Sequence, residues 1–224
     1  MKEKPILFSA PMVQTILDGR KTMTRRVLKS QPKAIHVGKK NEKHYVTVVD
    51  LKNGGAADPG SPAHMEECPY GIPGDHLWVR ESWTEGWRNG SDYILFYKAT
   101  HEKEVAAGIK WKPSIFMPRW ASRITLEISN VRVERLQEIS GKDAVKEGCA
   151  QNICEAELLH FGGYKKAQQE FEALWNSINR KKYPWASNPW VWVIEFKRFE
   201  QSHSLRSGII RSNVFRDAEN KGSL

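Results

Sequence analysis

Apolar positions recur along this chain with two periods, and they divide it into short elements. Met12, Val13, Ile16 and Leu17 are spaced as on one face of a helix. Ser9 before them is a helix-capping residue, Pro11 suits a first turn and Gly19 is a natural stop. A second helix is predicted over 137–148, where Ser140 and Asp143 have capping-box spacing and Gly148 closes the segment. The longest, over 164–178, gathers Phe171, Leu174, Trp175 and Ile178 on one face. Alternation or continuous apolar bulk predicts strands at 77–80, 93–97, 124–128 (extended by Val131 and Val133) and 190–196, the last buried on both faces. Between 31 and 74 the chain is polar and rich in glycine and proline, and only 44–49 reads as strand. An inserted hairpin or long loop is expected there. From 201 onward Ser, Arg and Asn dominate, and a flexible tail is expected. Short strands mixed with a few helices predict an α+β fold, a small β-barrel decorated with helices. The expected organisation is one domain over 1–200, with insertions at about 31–74 and 97–120, followed by the tail at 201–224.

Composition narrows the class. A chain of 224 residues buries a core without staples. Cys68, Cys149 and Cys154 form no C-x-x-C pair, which argues against a disulfide scaffold and for a reducing, cytoplasmic compartment. The N-terminal residues lack a signal peptide's apolar run, and nowhere do about 18 apolar residues follow one another, so no membrane partner is expected. His64 with Cys68, and Cys149 with Cys154, match no structural zinc spacing, and neither metal nor cofactor is expected.

Charge adds a partner. Lys and Arg number 35 against 26 Asp and Glu, a net of +9. Eleven of the basic residues lie between Met1 and Val49 against three acids, which puts eight of the net charges in under a quarter of the chain. Such clustering is the footprint of a polyanion binder, or else a solvated basic face. Nine tryptophans supply flat rings of the kind that stack on single-stranded nucleic acid.

The densest chemistry lies in Gly19-Arg20-Lys21-Thr22-Met23-Thr24-Arg25-Arg26. Cations this close depress one another's proton affinity, so a lysine among them can be partly neutral and act as base or nucleophile. The two threonines can hydrogen-bond a reacting carbonyl. The plain alternative is a phosphate-binding or solvated turn.

Gly19, Lys21 and Arg26 resemble the G-x-K-x-x-E-x-R signature of ASCH domains, a superfamily related to the RNA-binding PUA fold. Thr24 stands where that signature has glutamate, and the segment is similar instead to the G-R-K-T-x-T-x-R motif of the N4-acetylcytidine amidohydrolase subgroup. The insertions resemble those of larger ASCH proteins carried by phages and prophages. The resemblance implies a PUA-like small β-barrel and a hydrolase that removes an acyl group from a modified cytidine nucleoside or related base. It implies Lys21 as base, Thr24 as nucleophile or water-positioning hydroxyl, and Glu147 as the carboxylate that holds the lysine or shuttles the proton. Glu138 and Glu81 are alternatives to Glu147. Arg26 would stabilise developing charge or shape the pocket, or else form a buried structural ion pair, and Gly19 and Arg20 join it as substrate-binding candidates. The implied partner is a nucleoside or nucleic acid, RNA before DNA. A non-catalytic RNA- or modified-nucleic-acid-binding module is the second expectation and a ribonuclease the last, because no histidine pair or acidic metal cluster accompanies the motif.

A further segment, 111–120, is stiffened by two prolines, and its aromatics alternate with cations. Arg119 and Trp120 are candidates to clamp a base over the barrel mouth, with Arg80 and Trp83 lining the same pocket. Alternatively Trp111, Phe116 and Trp120 pack as a lid on the core.

Overall fold

β-Branched and aromatic residues mark most of the strands in the computed structural model, which describes residues 1–29, 31, 34–40, 43–49, 65–88, 92–103, 110–150, 157–158 and 162–199. In chain order the elements are β1 (Glu3–Leu7), α1 (Ala10–Leu17), β2 (Met23–Val27), β3 (Ala34–Lys40), β4 (Lys43–Val49), β5 (Met65–Glu67), β6 (His76–Arg80), β7 (Trp83–Arg88) and β8 (Asp92–Tyr97). Then come α2 (Lys98–His101), β9 (Thr125–Arg135), α3 (Gly141–Lys146), α4 (Gly163–Asn179) and β10 (Trp190–Arg198). The expected tail at 201–224 lies outside the described residues.

Five strands form the central sheet in the order β1-β6-β9-β10-β2. β1 runs parallel to β6, and the other pairings are antiparallel. The mixed α+β class holds, but among the described residues the sheet does not close into a barrel: β1 and β2 are its edges. One side chain spans the gap, with Arg26 Nη2 donating to Leu7 O at 2.6 Å. β10 is buried on both faces because the core has two halves. Trp192 and Ile194 meet Ile6, Phe8, Val13, Ile16, Leu77 and Leu126 on the α1 side. Val191 and Val193 meet Met23, Leu136, Ala144, Phe171 and Trp175 on the α3–α4 side.

Several expectations shift. The insertion at 31–74 contains a three-stranded antiparallel sheet, β3-β4-β5, where only one strand was legible. β7 pairs with β8 as a hairpin that sequence alternation missed on its first strand. The helix expected over 137–148 is split into a 3₁₀ turn at Leu136–Glu138 and α3. Ser140 takes extended backbone angles there, and its hydroxyl accepts from the Asp143 N–H at 3.1 Å, so it starts α3 rather than continuing a helix. Ser9 occupies the cap position of α1 without a side-chain capping bond, while Gly19 ends that helix region with φ of 74°. Ile178, expected on the buried face of α4, is 59% exposed. No helix among the described residues is long and apolar enough to cross a membrane.

Candidate functional site

The basic segment after α1 is not a turn but runs into edge strand β2, and this decides where its side chains go. The turn at Gly19 is held by Arg20 and Lys21 N–H groups, both donating to Thr15 O. Lys21 then enters the protein, with only 2% of its surface exposed. Its Nζ lies 2.7 Å from both the Glu147 carboxylate and the Glu147 backbone carbonyl. Glu147 is the residue that ends α3, and Gly148 beyond it has φ of 93°. A Cβ on Gly148 would sit 2.9 Å from Thr15 Oγ1 and 3.4 Å from Lys21 Cβ, so only glycine lets the end of α3 approach α1 and Lys21 this closely.

Burial pulls the Lys21 amine below the ordinary lysine range and outweighs the opposing pull of Glu147; the neighbouring Arg26 adds to the lowering. Thr24 and Glu147 line one pocket, with Arg25, Arg26 and Val27 from β2, Met12 from α1, and Phe171, Leu174, Trp175, Ile178 and Asn179 from α4. The pocket is small, a cavity of about 90 Å³ that opens to solvent. Glu147 therefore faces this pocket with the Thr24 hydroxyl, the two arginines and an aromatic wall, while the desolvated Lys21 amine is held behind Glu147 and does not itself line the pocket.

Arg26 forms no ion pair with a carboxylate among the described residues. It lies 5.2 Å over the Phe8 ring and donates to Leu7 O, and its buried Nε has no hydrogen-bond partner. Burial lowers its affinity for its proton. The neighbouring Arg25, which sequence reasoning passed over, has the ion pairs instead. Its side chain is fully buried and meets Glu147 at 3.2 Å, Asp143 at 3.1 Å and Glu134. Burial opposes its charge, but these carboxylates prevail and raise its affinity for the proton. The missed signal was strand alternation: with 23–27 read as β2, Arg25 shares a face with Met23 and Val27, toward α3 and α4.

The remaining candidates lie elsewhere. Arg20 pairs with Asp18 at the surface at 2.7 Å. Glu138 accepts from the Arg135 N–H, and buried Glu81 is held by both Arg123 Nε and Nη2 at 2.9 and 3.0 Å, so neither meets Lys21. Arg80, Trp83, Arg119 and Trp120 do not line the Thr24 pocket. Arg80 donates to the carbonyls of Ile115 and Met117, bracing the 110–121 loop, and Arg119 is paired with Glu3 of β1. Trp83 is buried against Met117 and Ala121, while Phe116 and Trp120 remain 71% and 57% exposed. The lid packing expected of those rings is performed by Met117 and Ala121. Cys149, beside Glu147, has its thiol pushed up to about 12 by burial first and by Glu147 second, which makes it a poor nucleophile. No group of three His, Cys, Asp or Glu among the described residues is arranged to hold a metal.

Comparison with protein-family models, curated proteins and solved structures yields no match.

Proposed function

We propose that this protein is an amidohydrolase of ASCH type that removes an acyl group from the exocyclic amine of a cytidine-like base. The observation that carries the reading is the buried Lys21 amine, held at 2.7 Å by Glu147 beside a pocket lined by Thr24. Burial disfavours the charged form of Lys21 and moves its amine toward the neutral form that a general base requires. Its amine takes a proton from water, or from the Thr24 hydroxyl, as oxygen adds to the acyl carbon. Arg26 faces the oxyanion that forms. The C–N bond then breaks as the leaving amine receives the proton from Lys21, and Glu147 keeps the lysine oriented through both transfers. Attack by Thr24 would leave an acyl ester that water hydrolyses in a second round. In this reading the hydrogen bond from Arg26 of edge strand β2 to Leu7 O of edge strand β1 stands in for the ladder that would close a PUA-like barrel.

A chromatographic assay of N4-acetylcytidine against purified protein tests the reading. Cytidine and acetate are expected, with Lys21→Ala slowing turnover by roughly a thousandfold or more. Absence of product from the unaltered protein would remove the acyl-cytidine substrate, and near-normal turnover in the variant would remove Lys21 from the mechanism.

A second reading, binding of single-stranded RNA, is favoured by exposed Phe116 and Trp120 on a loop whose Arg119, like Arg80, lies within 6 Å of the Trp78 ring.

A further inference from the structure

β2 is an edge strand, and its pairing phase decides which backbone groups face the pocket. In an antiparallel pair, residues that exchange hydrogen bonds alternate with residues that do not. Leu28 N–H donates to Trp190 O at 3.0 Å and Phe196 N–H donates to Thr22 O at 2.9 Å. Both pairs continue the β2–β10 register by one residue at either end. Thr24 and Arg26 therefore direct their backbone groups to β10, while Met23, Arg25 and Val27 direct theirs to the open edge. No further hydrogen bond to the backbone of Arg25 or Val27 occurs among the described residues.

An unpaired strand edge ordinarily invites another strand. Here the edge is flanked by Met12 of α1 and by Phe171, Leu174, Trp175 and Ile178 of α4, and it lies along the pocket. The cavity itself is small, about 90 Å³, which suits one flat ring laid against the edge with the rest of the ligand in solvent, rather than an extended peptide running the length of β2. Arg26 adds a buried donor without a partner, an arrangement that favours an acceptor-bearing ligand over an empty or apolar filling.

We propose that the open edge of β2 reads the base: the backbone N–H and C=O of Arg25, with the N–H of Val27 beside them, hold a planar heterocycle that presents a hydrogen-bond acceptor next to a donor. Cytosine has that edge in N3 and its exocyclic amine, and Phe171 and Trp175 offer flat apolar wall. The choice of a cytosine-type ring rests on the proposed hydrolase reading; the geometry of the edge does not. Backbone groups are indifferent to side-chain chemistry, so this selectivity is invisible in the residue types of the motif.

The test uses the full chain, amide-resolved NMR and two probes: cytidine, and the riboside of 2-pyridone, which keeps the ring carbonyl and sugar but lacks N3 and the amine. Cytidine should shift the Arg25 and Val27 amides and bind roughly tenfold more tightly than the pyridone riboside, the worth of about one to two hydrogen bonds. Val27→Pro deletes only an outward N–H, which an edge strand tolerates, and should weaken cytidine by a similar factor relative to Val27→Ala. If the proline variant does not fold, the amide shifts and the two-probe comparison decide. Equal affinities, unmoved amides at both positions, or no cytidine binding at millimolar concentration would each overturn the proposal. Binding at the edge without hydrolysis of N4-acetylcytidine would leave this inference standing and remove the hydrolase; hydrolysis with both amides unmoved would do the reverse.

Discussion

The Lys21 amine has two acceptors on one residue, the carboxylate and the backbone carbonyl of Glu147, each 2.7 Å away, and almost no contact with solvent. Burial, Glu147 and Arg26 are the largest influences on its proton, and Cys149 adds a smaller favourable one. Burial disfavours the charged form most strongly, Glu147 favours it, and Arg26 disfavours it. Titration of the lysine side chain by NMR should therefore move in opposite directions in two variants. Glu147→Gln removes the favourable charge and lowers the midpoint; Arg26→Gln removes the repelling one and raises it. Shifts of the same sign would refute this balance. The sign carries into stability. A lysine whose folded value lies below its ordinary 10.5 contributes stability that is present above 10.5 and lost as pH falls through the folded value. At neutral pH the buried amine is thus a burden on the fold. Lys21→Met should leave the melting temperature unchanged or higher, because Arg25 still neutralises Glu147, while turnover disappears. Thermal unfolding followed beside the cytidine assay checks both halves.

At the level of elements, Arg25 is the point where β2, β9 and α3 meet. Its guanidinium touches Glu134 of β9, Asp143 of α3 and Glu147 at the end of α3, and Arg132 joins Glu134, Asp143 and Glu195 into the same network. Arg25→Met deletes the central cation and leaves Glu134 and Asp143 to the half-buried Arg132 and Glu147 to Lys21 alone, three largely buried carboxylates against two cations. A loss of about 3–5 kcal/mol is expected in denaturant unfolding at neutral pH, with part of it recovered under acid conditions that protonate the carboxylates. Arg25→Lys restores charge without the fork and should recover only a fraction. A change below about 1 kcal/mol would mean that the network adds little to the fold. This arrangement was half legible in the sequence. Lys21, Thr24 and Glu147 were singled out, and the structure puts Lys21 on Glu147, with Glu147 and Thr24 lining one pocket. β9, α4 and β10 were visible because their apolar periods are long. β2 was not, since three of its five residues are polar and an edge strand with buried cations shows no hydrophobic alternation. Without β2, the role of Arg25 and the open backbone edge could not be read. β1, β5 and β7 were missed for a related reason: they are short, and their patterns are broken by Pro5, by acids and by Gly86.

Across the whole molecule, the chemistry and the exposed aromatics are separate. The pocket lies between α1 and α4, whereas Phe116 and Trp120 belong to the 110–121 loop, which is fixed to β1 through Arg119 and Glu3 and braced by Arg80. Trp120 is supported edge-on by buried Trp83, their centroids 5.9 Å apart, so its exposed face is presented on a rigid base. Rigid, exposed rings beside guanidinium groups suit bases that have left a helix. The separation gives the RNA-binding reading a consequence of its own. In a Phe116→Ala, Trp120→Ala double variant, hydrolysis of free N4-acetylcytidine should be unaffected, because neither ring lines the pocket. Affinity for a short single-stranded RNA should fall about ten- to a hundredfold, as loss of one or two stacked bases requires. The slope of affinity against salt should stay unchanged, since no phosphate-neutralising charge has been removed. Fluorescence anisotropy at several salt concentrations reads both quantities. An undiminished affinity would assign any RNA contact to the basic residues of the first quarter of the chain; a fall in nucleoside turnover with RNA affinity intact would instead couple the loop to the pocket.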